Sequence, residues 1–181
     1  MSDFQPTFES ERRFLVRDPA AVVGAAWELI TQAYLFSADG FAVRVRRVQE
    51  PIAQSSELTE GAAWLTGKGP RINERREEYE TQVSPLWARQ VIARCANVVV
   101  KRRYQLLTDQ TWEVDEFLEH NLGLWIAEIE GGPEILRVRQ PKWVASEIVN
   151  DTRFDNERLA IMPIDEWDDR ERSALPGLME P

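Results

Sequence analysis

The chain has 181 residues, 43% of them hydrophobic and including seven Trp and seven Phe, which is too much large apolar side chain for a disordered segment and enough for one globular domain. Lys+Arg 22 against Asp+Glu 31 gives a formal net charge of -9, which argues against a broad nucleic-acid surface, because duplex binding rests on cationic neutralisation of phosphates. A single cysteine excludes an intramolecular disulfide framework and a cysteine-cluster metal site, so a reducing cytoplasm is the expected setting.

The stretch 8–16 alternates as a strand does. Asp18 before Pro19 is a helix-start pair, and Val22, Val23, Ala26, Trp27 and Ile30 recur at helical spacing, which predicts a helix over 19–30. Strands are expected at 41–48 and 63–69, separated by a long loop over 49–61 that contains Pro51, Ser55, Ser56 and Gly61. A strand at 74–83 leads into Ser84 and Pro85, which start a second helix carrying Leu86, Trp87, Val91 and Cys95. Further strands are expected at 98–107, 111–118 and 124–130, and Gly131-Gly132-Pro133 opens a short third helix. From Asp155 to Pro181 eight acids face three bases, a net of -5 that leaves -4 for the rest. The expected organisation is therefore a domain over 1–160 followed by an acidic tail or lid over 161–181. No apolar run approaches the roughly 20 residues that cross a bilayer, and Met1-Ser2-Asp3-Phe4 lacks a basic leader. A protein neither secreted nor membrane-spanning is expected.

Residues two apart in a strand share a face. Applied to each segment, that rule groups Glu9, Glu11 and Arg13; Arg44 and Arg46; Thr66 and Lys68; Arg76, Glu78 and Glu80; Lys101 and Arg103; Glu113 and Asp115; and Glu128 and Glu130. The opposite faces carry Val43 and Val45, Tyr79 and Val83, Val98, Val100 and Tyr104, Trp112 and Val114, and Ala127 and Ile129. One solvated sheet face would explain any single strand. Seven strands whose alternate positions are mostly carboxylates and cations instead suit a closed barrel with a charged interior, its apolar outside covered by amphipathic helices. A charged interior has to be wet and paired, so its bases would grip an anion and its acids a cation. Arginine and lysine match phosphate oxygens, and carboxylates supply the hard ligands that magnesium and manganese prefer. Arg12, Arg47, Arg75 and Arg102 have the opposite parity and read as surface ion pairs. His120 reads as a turn residue, Cys95 as a buried structural thiol, and the tryptophans as outer packing.

The residues also resemble a known family. Glu9-Ser10-Glu11-Arg12-Arg13-Phe14-Leu15-Val16 resembles the N-terminal Glu-x-Glu-x-Lys signature of the CYTH superfamily, the triphosphate tunnel metalloenzymes. Gln32-Ala33-Tyr34-Leu35, Val43-Arg44-Val45-Arg46, Leu65-Thr66-Gly67-Lys68, Arg76-Glu77-Glu78-Tyr79-Glu80, Lys101-Arg102-Arg103-Tyr104, Trp112-Glu113-Val114-Asp115 and Ala127-Glu128-Ile129-Glu130 resemble its later elements, in order. Trp143, Glu147-Ile148-Val149 and Arg153-Phe154-Asp155-Asn156 resemble its closing segment, so the resemblance spans about 8–160. Arg13 stands where the signature usually has Lys, Ala33 where Gly is usual, and Val149 where many relatives have Thr.

The resemblance implies an α+β fold built on an eight-stranded antiparallel β-barrel with helices outside, enclosing a tunnel that binds a triphosphate with Mg2+ or Mn2+. In that frame Arg44, Arg46, Lys68, Arg76, Lys101 and Arg103, with Arg13 assisting, bind the phosphate chain. Glu9, Glu11, Glu128 and Glu130 are the first metal ligands, with Glu78, Glu80 and Asp115 as further or supporting ones. Two metal positions are implied, one orienting the triphosphate and one lowering the pKa of the attacking water. Lys101 is the candidate side-chain base beside Glu9 and Glu11. The expected function is metal-dependent hydrolysis of a triphosphate, inorganic tripolyphosphate before thiamine or nucleoside triphosphate. A class IV adenylate cyclase acting on ATP and a non-catalytic polyphosphate-binding module are the alternatives, and monomer and homodimer are both open.

Overall fold

Alternation of apolar and charged residues produces one large antiparallel sheet. The computed structural model describes residues 10–53, 55–72, 75–173 and 175. Its strands are β1 (Ser10–Val16), β2 (Trp27–Ala38), β3 (Phe41–Pro51), β4 (Leu58–Ile72), β5 (Arg75–Val83), β6 (Val98–Leu107), β7 (Thr111–Phe117), β8 (Trp125–Gly131) and β9 (Val144–Glu147). They pair in the order β5-β4-β3-β2-β6-β7-β8-β1-β9, every neighbour antiparallel. The helices are α1 (Pro85–Ile92), α2 (Asn156–Ile161) and α3 (Asp169–Ser173), supplemented by short 3-10 turns. Among the described residues no helix is long and apolar enough to cross a membrane.

The antiparallel architecture matches the expectation, but the eight-stranded closed barrel does not appear. Among the described residues the sheet has nine strands, and β5 and β9 are its two edges, not paired to each other. The additional strand comes from the closing segment: Val144–Glu147 pairs along the free edge of β1, at Phe14↔Glu147 and Val16↔Val144. The helix predicted over 19–30 is a second correction. Asp18 accepts from the Ala20 N–H and Pro19 begins a turn, but that turn ends at Val22 and Gly24 takes a φ of 80°. Trp27 onward then pairs with β6 on one side and, from Leu29, with β3 on the other, and two ladders outweigh a weak helical periodicity. The loop expected over 49–61 shrinks to a short connection, because β3 runs to Pro51 and β4 starts at Leu58. Gly61 sits opposite an irregularity between Arg47 and Gln49, where a Cβ would come 3.0 Å from the Val48 carbonyl oxygen.

Three hydrophobic clusters cover the sheet. On the outer face Ala88 of α1 packs on Val45 and Ala63, as expected for a helix outside. Further along that face Phe14, Trp112, Val114, Ala127, Ile129 and Val144 form a second cluster, against which Tyr104, Trp125 and Trp143 pack. Arg12 secures it by donating to Glu147 and to the carbonyls of Ile135 and Val138. The third cluster lies on the other face. Leu15, Tyr34, Val99, Phe117 and Ile126 share parity with the charged residues, and Phe154, Leu159, Ile164, Trp167 and Leu175 cover them. The C-terminal helices are thus on the same side as the charged residues, not outside with α1. Full burial of one such Leu, Ile or Phe contributes about 1.5–3 kcal/mol. Cys95 lies just beyond α1, half-buried, with its Sγ 3.3 Å from the Val91 carbonyl oxygen.

One buried amide fastens that cover. Asn121 donates to the Leu159 carbonyl at 3.2 Å and accepts from the Ile164 N–H at 3.0 Å. Removing it strands a donor and an acceptor away from water. Asn121→Ala is expected to lower unfolding free energy by about 2–4 kcal/mol in a urea titration, since each orphaned group costs about 1–3 kcal/mol; a midpoint equal to wild type would refute that role.

Candidate active site

The charged residues meet because directly opposed residues of antiparallel strands share a face. Glu11 opposes Glu130 and Arg13 opposes Glu128 across β1 and β8; Glu128 opposes Glu113 across β7. Asp115 opposes Arg103, and Arg103 opposes Glu28 across β6 and β2. Gln32 opposes Arg46 and Tyr34 opposes Arg44, after which Arg44 opposes Thr66, Thr66 opposes Glu80, and Lys68 opposes Glu78. One row of polar, mostly ionisable side chains therefore runs across the sheet from β1 to β5.

At its middle the charges are matched. Arg103 grips Asp115 with two nitrogens, Nε to Oδ1 at 2.8 Å and an amino group to Oδ2 at 2.7 Å, and donates further to Glu128 at 3.0 Å and to Glu113. Lys101 donates to the same Asp115 at 2.5 Å and to Asn156 at 3.2 Å. Arg13 lies 2.9 Å from Asp155, donates to the Phe154 carbonyl and stands 3.7 Å from Glu11. Asp115 is fully buried and Lys101 2% exposed. Burial favours the neutral acid, yet Arg103 and Lys101 together hold the Asp115 carboxyl down at about 2. Burial and the adjoining Arg103 lower the Lys101 ammonium, while Asp115 opposes that shift.

On either side of this centre the matching is incomplete. Toward β3, the Nε atoms of Arg44 and Arg46 are buried without a hydrogen-bond partner. Arg46 stacks over Trp64 at 4.9 Å and reaches Glu80 only at 3.5 Å. Burial, then the neighbouring Arg44, lowers its pKa. Toward β8, Glu113, Glu128 and Glu130 bring carboxylate oxygens within 4.8 Å of one another. Burial and then Asp115 raise Glu128. Partial burial of its carboxyl, then Glu113, Glu128 and Glu11, push Glu130 up to about 7. Clustered carboxylate oxygens are the donor set of a hard divalent cation, so these residues fit Mg2+ or Mn2+.

The sequence-predicted residues distribute as follows. Arg13, Arg44, Arg46, Lys101, Arg103, Asp115, Glu11, Glu128 and Glu130 lie on the charged face. Lys68 is paired with Glu78, and Glu80 accepts from Thr66 at 2.7 Å, so both β5 carboxylates sit at the sheet edge outside the Glu113, Glu128 and Glu130 cluster. Asp115 is held by two cations, Lys101 and Arg103. Glu9 and the side chains of Arg75 and Arg76 lie outside the described residues. Arg12, Arg47 and Arg102 pair with Glu147, Glu60 and Glu116, as their parity predicts. His120, in a 3-10 turn, pairs with Asp165 at the surface. Glu113 joins the carboxylate cluster although it is outside the ligand set that the resemblance implies; its parity with Asp115 marks it. Glu28 was hidden by the helix reading of its segment. It is half-buried, and burial raises its carboxyl against the lowering effect of Arg103 and Arg46.

Fold and site together define an antiparallel-sheet protein with one face on which arginine, lysine and carboxylate side chains are gathered. No family model matches the chain. It is 33% identical over 158 residues to the inorganic triphosphatase of Acetivibrio thermocellus, covering 86% of this chain and 94% of that protein. The crystal structure of the inorganic triphosphatase NE1496 matches with a TM-score of 0.59 and 25% identity, over 86% of this chain and 95% of that one. A candidate adenylate cyclase from Bacillus halodurans shares the fold, with a TM-score of 0.51 and 14% identity over 83% of this chain and 98% of that one. The chain belongs to the CYTH superfamily, the triphosphate tunnel metalloenzymes.

The Glu130 shift has a pH consequence. Its folded pKa of about 7 lies above the ordinary 4.5, so the folded state holds the proton longer than the unfolded state. Without metal, this group's contribution is complete below pH 4.5 and is lost as pH rises through 7. A divalent cation on the cluster should offset the loss. Thermal unfolding is expected to show a larger Mn2+-induced rise in Tm at pH 8 than at pH 5.5, and equal shifts at both would contradict the assignment.

Proposed function

We propose that this protein hydrolyses a triphosphate, with inorganic tripolyphosphate the favoured substrate, in a divalent-metal-dependent reaction. The observation that carries this reading is the pair of buried, unpartnered Nε donors on Arg44 and Arg46. A buried donor left without an acceptor is costly, and a phosphate oxygen would supply one with charge assistance. The family relationship to an inorganic triphosphatase supports the same class of substrate.

In this reading Arg44 and Arg46 bind and orient the phosphate chain. Arg103, its plane fixed by Asp115, presents positive charge beside the carboxylate cluster. Hydrolysis at a terminal phosphorus spreads negative charge over the equatorial oxygens, and cations already held in place stabilise that charge without having to reorganise. Mg2+ or Mn2+ on Glu113, Glu128 and Glu130, with Glu11 nearby, would neutralise phosphate charge and activate water. Lys101, closed to solvent and bonded to Asp115, orients the network rather than touching substrate in this arrangement.

A phosphate-release panel tests the function. Tripolyphosphate with Mg2+ or Mn2+ is expected to yield orthophosphate and pyrophosphate; release from none of tripolyphosphate, ATP and thiamine triphosphate, or cyclic AMP from ATP as the main product, would overturn it. Arg44→Met should cut kcat/KM by about 100-fold, the size of effect seen when one preorganised donor is removed. It should do so without lowering Tm, because the buried Arg44 Nε makes no hydrogen bond that could be lost. Undiminished turnover would sink the role given to Arg44.

A further inference from the structure

Asn156 begins α2, yet its side chain makes a contact that neither the helix nor the core requires. Its amide oxygen accepts from Lys101 Nζ at 3.2 Å. An ammonium has donors alone, so the oxygen rather than the nitrogen of the amide faces it. From Lys101 the hydrogen bonds continue without a break. Lys101 donates to Asp115 Oδ2 at 2.5 Å, an Arg103 amino group donates to the same oxygen at 2.7 Å, and that amino group reaches Glu128 at 3.0 Å. The other Arg103 amino group holds Glu113. A C-terminal helix is thereby joined, through three fixed side chains, to two of the three clustered carboxylates.

Asp155 beside it departs from local rules in the same direction. It is the N-cap residue of α2 but makes no side-chain cap hydrogen bond; its carboxylate lies 2.9 Å from Arg13 instead. The start of α2 is therefore organised around two cations of the charged face at the expense of its own cap.

We propose that Asn156 is a positioning residue for the metal-holding carboxylates: by fixing Lys101 it fixes Asp115, and through Asp115 the guanidinium plane that holds Glu113 and Glu128. This rests on the triphosphatase reading and adds the C-terminal helix to the site. What the place requires is an acceptor: the amide oxygen restrains the ammonium that also holds Asp115. Leucine at 156 would fill similar space but offer no acceptor, whereas aspartate would keep the oxygen.

The test is Mn2+ binding to the full chain without substrate, by titration calorimetry, alongside Mg2+-dependent phosphate release from tripolyphosphate and thermal unfolding. Asn156→Leu is expected to weaken Mn2+ binding and to lower kcat by about 10-fold or more, the usual cost of losing an outer partner of a metal site. KM should move far less than kcat, and Asn156→Asp should restore Mn2+ affinity and kcat to near the wild-type values. In a Lys101→Met background Asn156→Leu should have little further effect, since its route to the carboxylates is gone. Wild-type Mn2+ affinity and kcat in Asn156→Leu would overturn the proposal, as would equal losses in Asn156→Leu and Asn156→Asp or an undiminished effect in the Lys101→Met background. Failure of the unmodified protein to release phosphate would remove the triphosphatase reading instead, and the Mn2+ titrations would still decide the role of Asn156.

Discussion

A charged side chain withdrawn from water needs an opposite charge and satisfied hydrogen bonds, and Asp115 is where this protein meets that requirement. Arg103 approaches it through two nitrogens and Lys101 through a third, so each carboxylate oxygen is used. Removing one partner of a buried ion pair costs about 3–5 kcal/mol, far more than a surface pair contributes. The arrangement thus keeps β6 and β7 in a single register. It also turns the Arg103 guanidinium so that its remaining hydrogens reach Glu113 and Glu128.

With the centre neutralised, the flanks can stay unbalanced. Toward β3 the Nε donors of Arg44 and Arg46 lack acceptors; toward β8 the carboxylates of Glu113, Glu128 and Glu130 crowd together, with the one guanidinium of Arg103 shared between Glu113 and Glu128. A polyanion with a divalent cation complements both imbalances, and neither ligand alone does. The outer face has no such role and is closed by aromatic packing, with Trp112 against Phe14 and Trp143 at 5.6 and 5.4 Å. On the charged side, Phe154, Leu159, Ile164, Trp167 and Leu175 cover the apolar end of the face, and the polar remainder is left for chemistry. The acidic C-terminal stretch, which carries more than half of the net charge of -9, therefore also contributes Leu159, Ile164 and Trp167 to the core.

The charged face was readable in the sequence because parity is a local property. Arg44 with Arg46, Lys101 with Arg103, and Glu128 with Glu130 share a face in any extended chain. Where local pattern and tertiary pairing compete, the sequence is ambiguous. Val22, Val23, Ala26, Trp27 and Ile30 fit a helix, but β2 is decided by ladders with β3 and β6 that no local spacing encodes. Glu28 disappeared from the site for that reason. Pro51 and Gly61 read as breakers although one ends β3 and the other accommodates an irregularity inside β4. Four-residue β9 is too short to announce itself, and Asn156 acquires meaning only once α2 is set against Lys101.

The central claim is that this face holds an anion and a metal on separate residues of one network, which makes their binding interdependent. Titration calorimetry of tripolyphosphate into the protein with and without saturating Mn2+, corrected for metal binding by free tripolyphosphate, measures that dependence directly. The account predicts that Mn2+ tightens tripolyphosphate binding by roughly 10-fold or more, within the usual range of coupling between two sites, and that tripolyphosphate tightens Mn2+ binding by the same factor. Equal affinities in the two titrations would contradict it.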